Sequence, residues 1–120
     1  MTAMKNDAVF AMKFAKVYPL LVAKAGRKGR TRAEVDAVTA WLTGYTPAEL
    51  EQFLASELTY GEFFERAPHP NENRRLITGS VCGVRVEAIA DPLLREIRYL
   101  DKLVDELAKG RPLEKILRQG

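Results

Sequence analysis

The chain has 120 residues, of which 47% are hydrophobic and 29% are charged, and its formal net charge is +3. This length and balance are typical of one folded domain, predicted here over residues 1–120, and exclude a disordered chain. The single cysteine excludes an internal disulfide. No apolar run approaches the ~18 residues of a membrane-spanning helix, so no membrane contact is expected.

Charge is unevenly distributed along the chain. Residues 1–32 contain eight Lys and Arg and one Asp, which gives +7, whereas residues 33–120 contain eleven Lys and Arg and fifteen acids, which gives −4. A polarised chain can steer an anionic partner toward one side, and it can equally be two parts of one fold that attract each other.

The first predicted element is a helix over about residues 8–26, where apolar side chains recur at helical spacing. Pro19 lies inside it and removes one backbone hydrogen bond, so we expect a kink or a break near Tyr18. The apolar run 17–23, followed by Lys24, weakly resembles a secretion signal. The proline and the lysine disfavour that interpretation, and a buried helix face is preferred.

Three Thr-x-x-Glu motifs, which start at Thr31, Thr46 and Thr59, each predict the start of a helix. In this capping box the threonine oxygen accepts the N–H of the glutamate, whose carboxylate accepts the N–H of the threonine. The helices predicted from these starts cover about residues 32–43, 47–56 and 60–67.

The last long helix is predicted to begin after Asp91, a good N-cap, and to end at Gly110. Its apolar residues follow four-three spacing, which predicts a buried stripe of Leu93, Ile97, Leu100, Val104 and Leu107. The opposite-charge pairs Lys102–Glu106 and Asp105–Lys109 are expected on its other side. A final short helix is expected after Pro112.

Residues 76–89 permit two interpretations. The β-branched residues and the alternation over 84–88 favour strand, whereas Gly79 and Gly83, four residues apart, and the spacing of the apolar residues favour helix. We favour helix, which gives an all-α, single-domain compact bundle of five to six helices. The alternative is an α+β fold with a small hairpin at about 76–89.

Several uncommon strings resemble, in order, a bacterial domain-of-unknown-function family, number 2200. They are residues 17–20 (VYPL), 28–31 (KGRT), 41–45 (WLTGY), 82–87 (CGVRVE) and 97–103 (IRYLDKL). The resemblance spans about residues 9–118. It implies a small bacterial cytoplasmic protein, and it implies no activity and no catalytic residue.

The strongest candidate site is the basic stretch 24–32, which contains no acid and precedes a predicted helix N-terminus. Its basic residues are Lys24, Arg27, Lys28, Arg30 and Arg32. Backbone N–H groups and the helix dipole at such a terminus favour anions, so the stretch could bind a phosphate or a nucleic-acid backbone. A solvated basic turn between two helices is the simpler interpretation and is preferred.

No catalytic or metal site is predicted. Cys82 and His69 are the only cysteine and histidine and could form a thiol–imidazole pair. The cysteine lies in an apolar run, however, where this residue is more often a buried hydrophobe. One Cys and one His are too few ligands for a usual zinc site, and no cofactor is expected.

The preferred functional hypothesis is a non-enzymatic helical interaction module, whose partner can be a second copy in a homodimer. The alternative is binding of a nucleic acid or a phosphorylated ligand through the basic turn at 24–32. An enzyme that uses Cys82, or a carboxylate such as Glu87 or Asp91, ranks third.

Overall fold

The structure, a computed structural model, describes residues 8–81 and 83–119. Its α-helices are α1 (Phe14–Gly26), α2 (Arg32–Thr43), α3 (Pro47–Leu54), α4 (Tyr60–Glu65), α5 (Pro92–Ala108) and α6 (Leu113–Ile116). Two 3₁₀ segments, Glu72–Leu76 and Val86–Ala88, and a hairpin of β1 (Ser80–Val81) and β2 (Val84–Arg85) lie between α4 and α5. The predicted all-α bundle of five to six helices is confirmed.

The three predicted capping boxes form. The Glu34 N–H donates to the Thr31 hydroxyl at 3.2 Å, and the Thr31 N–H donates to the Glu34 carboxylate at 2.9 Å. The boxes that begin at Thr46 and Thr59 have the same reciprocal bonds. Since each box satisfies N–H groups that the first helical turn leaves free, the helix starts coincide with the predicted ones. Only the ends differ, since α3 and α4 each stop two residues earlier than expected.

The N-terminal helix differs from its prediction. α1 runs from Phe14 to Gly26 with Pro19 inside it, so the break expected near Tyr18 is absent. The interruption lies earlier, after the helical residues 8–11, where Lys13 forms a β-bridge with Thr59. There the Phe14 N–H donates to the Leu58 carbonyl at 2.9 Å. α1 therefore begins where backbone pairing with the α3–α4 loop replaces helical hydrogen bonds.

α5 is the central helix of the bundle. It packs against α1, α2, α4 and α6 and against β1. Its predicted stripe is buried from Ile97 to Leu107, with Leu103 added, and Leu93 is half-buried at its start. The radius of gyration, 13.4 Å, matches the ~13.6 Å of a compact chain of this length. α5, the last but one of the α-helices along the chain, therefore completes the core.

The helix favoured for residues 76–89 is wrong over the middle of that range. Ser80 pairs with Arg85, and Val81 pairs with Val84, in an antiparallel hairpin. Gly79 and Gly83 have φ values of +102° and +79°, which a right-handed helix excludes and glycine adopts without strain. The small hairpin named as the alternative does form, but each strand has two residues, so the molecule remains mainly helical.

An aromatic cluster fixes the orientation of α1. The ring of Phe14 stacks on those of Tyr18 and Phe63, with centroids 4.8 and 4.5 Å apart. Because Phe14 and Tyr18 point inward, helical spacing places Lys16, Leu20 and Ala23 on the opposite, solvent-facing side. All three of these residues are exposed.

Candidate functional site

The basic stretch joins α1 to α2, and the fold directs its side chains to different neighbours. Lys24 lies on the side of α1 that faces α5, with its Nζ 3.6 Å from the carboxylate of Asp105. Arg27 and Lys28 are exposed at the turn itself. Within residues 8–81 and 83–119, neither of these two cations has an ion-pair partner.

Arg30 connects this turn to the far end of α5. Its Nε and Nη2 donate to the Glu34 carboxylate at 2.9 and 2.6 Å. Its Nη1 donates to the carbonyl oxygens of Leu107 and Arg111 at 3.2 and 2.7 Å. The last carbonyls of a helix have no partner within the helix, so Arg30 caps α5.

The N-terminus of α2 is already occupied by an internal carboxylate. Hydrogen bonds from Arg30 and from the Thr31 N–H lower the pKa of Glu34 from 4.5 to about 2. This side chain is therefore charged at neutral pH and lies where an external anion was expected to bind. Anion binding by the basic stretch stays a prediction. It depends on Arg27 and Lys28, which have no ion pair among the described residues.

Arg32 extends from the start of α2 to α3. Its Nη2 donates to Glu51 at 2.5 Å, and its Nε lies 3.5 Å from the carboxylate of Asp36. The hydroxyl of Tyr18 donates to the same carboxylate at 2.6 Å. Arg32 therefore helps to hold three helices together, and two carboxylates balance its charge.

The solvent-facing side of α1 is apolar at its centre and basic at its ends. We call this surface the outer face of α1 and define it by Lys16, Pro19, Leu20, Ala23 and Arg27. Leu20 is 63% exposed, which is more than any other large hydrophobic residue in the described part of the chain. α1 itself contains no acidic residue. Lys16, like Arg27, has no ion-pair partner in the described part of the chain.

A small pocket adjoins this outer face. It has a volume of about 150 Å³ and is lined by Tyr18, Pro19, Val22, Arg32 and Leu54, so α1, α2 and α3 all contribute to it. Pro19 belongs to both surfaces, which makes the pocket and the outer face continuous. We call this cavity the α1 pocket. No local sequence pattern predicts this pocket, because its walls come from three different helices.

The hydroxyl of Tyr18, one of the residues that line this pocket, is hydrogen-bonded within the fold. The Tyr18 hydroxyl donates to Asp36 and lies 3.2 Å from the Thr39 hydroxyl. Burial, and then the bond to Asp36, raise the pKa of Tyr18 far above its ordinary value of 10.0. This phenol therefore stays protonated and does not serve as a base.

The residues considered for catalysis are placed apart from the α1 pocket. His69 is exposed in the loop after α4, where its backbone N–H donates to the Thr43 carbonyl at 3.1 Å. Hydrogen bonds from the backbone N–H of Glu87 itself and from the Gly79 N–H, at 3.1 Å, and then the pairing with Arg85, lower the pKa of Glu87. Asp91 caps α5. Cys82 lies outside the described residues. Both carboxylates therefore accept hydrogen bonds from backbone N–H groups.

A second charged cluster, which sequence analysis missed, holds the C-terminus. Glu106 is 3% exposed and accepts two hydrogen bonds from Arg118, at 2.5 and 2.7 Å. Arg111 lies 3.3 Å from the same carboxylate. The expected Lys102–Glu106 pair is therefore wrong, because Lys102 instead donates to the Ser80 carbonyl. The Asp105–Lys109 pair is confirmed, at 3.0 Å.

Neither a metal centre nor a membrane span is found in the part of the chain that the structure describes. Residues 8–81 and 83–119 contain no group of three or more His, Cys, Asp or Glu side chains that could hold a metal ion. None of the described helices is long and apolar enough to cross a membrane.

Comparison with known proteins identifies the family. The chain is similar to the protein of a solved structure, "Crystal structure of uncharacterized protein SP1917", with 50% identity over 92% of this chain and 90% of that chain and a TM-score of 0.89. No curated protein matches the chain. A family model matches residues 8–118, which confirms the resemblance seen in the sequence. The chain therefore belongs to the family described as "Uncharacterized protein conserved in bacteria (DUF2200)".

Proposed function

We propose that the protein is a non-enzymatic interaction module that binds an acidic protein segment on the outer face of α1. The observation that carries this proposal is the exposure of Leu20, at 63%, between cations that have no internal partner among the described residues. An apolar residue bordered by cations is complementary to a partner segment that carries an apolar side chain between acids.

Charge supports an acidic partner. Lys16 and Arg27 lie eleven residues apart on one side of α1, which corresponds to ~16 Å along the helix axis at ~1.5 Å per residue. Lys28 adds a third exposed cation beside Arg27. A partner segment of about three helical turns would place acids near both ends and an apolar side chain over Leu20. Such complementarity mainly raises association rate and specificity.

A second copy of the chain is a weaker candidate for this surface. A two-fold dimer brings the same patch of both subunits together, so Lys16 and Arg27 of one copy would face those of the other. Like charges that face each other across an interface repel each other. The homodimer considered from the sequence therefore stays a prediction for other surfaces, and the outer face of α1 favours a different, acidic protein.

A nucleic acid is the other candidate partner, and Arg27 and Lys28 support it. Both cations are exposed at the turn, whereas Lys24, Arg30 and Arg32 are already paired with carboxylates. Two free cations give a small electrostatic contribution, and an exposed leucine contributes nothing to phosphate binding. We therefore rank nucleic-acid binding second.

Peptide selection tests the proposal. Random twelve-residue peptides displayed on phage are selected against the immobilised protein, and the enriched peptides are measured by fluorescence anisotropy at low and high salt. We expect enriched peptides to combine acids with one large apolar residue and to bind more weakly at high salt. A single-stranded and a double-stranded oligonucleotide, measured in the same way, test the second-ranked function.

Matched variants localise the binding. Leu20→Asp should weaken peptide binding about tenfold or more, since a central residue of an interface can contribute ~1.4 kcal/mol or more. Lys16→Glu, at one end of the face, should weaken binding through charge repulsion, and most strongly at low salt. Leu76→Asp and Arg75→Glu are the controls, because both residues are exposed on the 3₁₀ segment Glu72–Leu76. Equal loss in all four variants, or peptides without acids, would contradict the proposal.

The proposal also places the protein in the cytoplasm. Its support is the single cysteine, which allows no internal disulfide, and the family resemblance stated above. Fractionation of bacterial cells with an antibody against the native chain tests this location, and recovery in the periplasm or medium would contradict it.

A further inference from the structure

We infer that the α1 pocket is the anchor site for one aromatic side chain of the acidic segment. This inference rests on the proposed function and specifies the partner further. Pro19 is part of both the pocket wall and the outer face, so a segment lying over Leu20 has the pocket within reach of its next side chain.

The size of the pocket selects the anchor. A protein cavity of about 150 Å³ is large enough to bind benzene, and the α1 pocket has about this volume. It therefore accommodates a phenyl ring and is small for an indole. In interfaces, an aromatic residue that fills such a pocket commonly contributes a large share of the binding energy.

The chemistry of the walls favours a ring that carries no charge. Pro19, Val22 and Leu54 are apolar, and the hydroxyl of Tyr18 is turned to Asp36. Arg32 lines the pocket on the α2 side and pairs with Glu51 and Asp36. A planar guanidinium stacks on aromatic rings, which favours phenylalanine over leucine as the anchor.

The position of the charges sets what flanks the anchor. Because the carboxylates of Asp36 and Glu51 already balance the charge of Arg32, an acidic residue next to the anchoring phenylalanine would gain no attraction from Arg32. The cations without partners in the described chain lie instead at the two ends of the outer face, at Lys16 and at Arg27. The segment that fits is therefore one phenylalanine with acids several residues away on either side.

An uncharged probe tests the pocket separately from the outer face. N-acetyl-phenylalanine amide is titrated into methyl-labelled full-length protein and followed by NMR, to concentrations on the order of 10 mM, the range expected for so small a ligand. We expect shifts of the Val22 and Leu54 methyl signals that do not depend on salt. N-acetyl-alanine amide should leave both signals unchanged.

Two filling variants keep the test independent of any single folding defect. Val22→Phe and Leu54→Phe each place a ring in the pocket from a different helix, and each should abolish the response to the probe. Circular dichroism confirms that each variant is folded. If the Phe probe shifts neither Val22 nor Leu54 in the native protein, the inference is wrong.

The two proposals can fail separately. Acidic peptides whose salt-dependent binding is unchanged by Phe→Ala in the peptide and by both filling variants would retain the proposed function and overturn the anchor. A salt-independent response of Val22 and Leu54 to the probe, together with no binding of acidic peptides, would retain the pocket as a site for an aromatic ring and overturn the acidic partner.

Discussion

Gly44 ends α2 in the left-handed region, with φ of +84°, and the backbone of His69 lies directly against it. A Cβ at this position would meet the His69 Cβ at 2.7 Å and the His69 nitrogen at 2.8 Å. Both contacts are far shorter than packed atoms allow. The residue therefore combines a conformational requirement with a steric one, and it fixes the loop after α4 against the end of α2.

Gly44→Ala should lower the free energy of unfolding by about 2–4 kcal/mol, since the left-handed conformation costs ~1–2 kcal/mol and the clash adds to it. Gly29→Ala is the matched control, because Gly29 has φ of +82° and nothing within 4 Å of an added Cβ. Urea unfolding measures both variants. Equal losses would show that the His69 contact contributes nothing.

For single residues, the sequence predicts only those hydrogen-bond partners that lie close along the chain. The Thr31–Glu34 capping bonds join residues three apart, and a known motif specifies them. Beside their partners four residues away, Arg32 and Arg30 have distant ones 19 and 81 residues away, at Glu51 and at the Arg111 carbonyl. No local pattern encodes such distances. The basic stretch was therefore predicted as a cluster, and its division among separate neighbours was not.

At the scale of elements, the end of α5 is held by charges from both directions. Arg30 donates to the Leu107 carbonyl in its last turn, while the buried carboxylate of Glu106 accepts bonds from Arg118. Asn73 also donates to the Arg118 carbonyl at 3.2 Å. These bonds hold α6, whose Ile116 is fully buried, against the bundle. A short helix of four residues would not be stable alone.

Glu106→Gln should lower the free energy of unfolding by about 3 kcal/mol, because removal of one charge from a buried pair leaves the other uncompensated. Hydrogen exchange should also become faster over Leu113–Ile116. Glu57→Gln is the control, since Glu57 and Lys13 form a pair of two exposed side chains and such pairs contribute under ~1 kcal/mol. Unchanged exchange in α6 after the Glu106 substitution would contradict this assignment.

The elements themselves differ in how far their sequence specifies them. α2, α3 and α4 have a capping box, and α5 has an apolar stripe, so local rules and packing agree. The hairpin was missed because its apolar residues also fit helical spacing, and two-residue strands give no sustained alternation. The glycines at 79 and 83 were the useful signal, as breakers rather than as close-packing residues.

At the scale of the whole molecule, the uneven charge of the chain is partly used within the fold. Lys13, Lys24 and Arg32 of the basic N-terminal third pair with Glu57, Asp105 and Glu51 of the acidic remainder. The two parts attract each other, as one of the two original interpretations expected. Lys16, Arg27 and Lys28 have no ion pair among the described residues, and the other interpretation, an anionic partner, stays a prediction.

Unfolding of the whole chain should be a single cooperative transition. α5 packs against α1 and α2, so loss of one helix exposes the core that the others share. Far-UV circular dichroism reports the helices, and fluorescence of Trp41, the only tryptophan, reports the surroundings of α2. The two signals should give the same urea midpoint. Separate midpoints would contradict the single domain predicted for residues 1–120.

The late position of α5 has a consequence for synthesis in the cell. A chain of 120 residues takes about 6–24 s to translate at ~5–20 residues per second. From Glu65, the end of α4, to Ala108, the end of α5, synthesis takes about 2–9 s at this rate. Over that interval α1 to α4 lack the helix that covers their apolar sides, and Arg30 lacks the Leu107 carbonyl that it caps. The nascent chain must therefore remain unaggregated until α5 has been made and can pack against α1, α2 and α4.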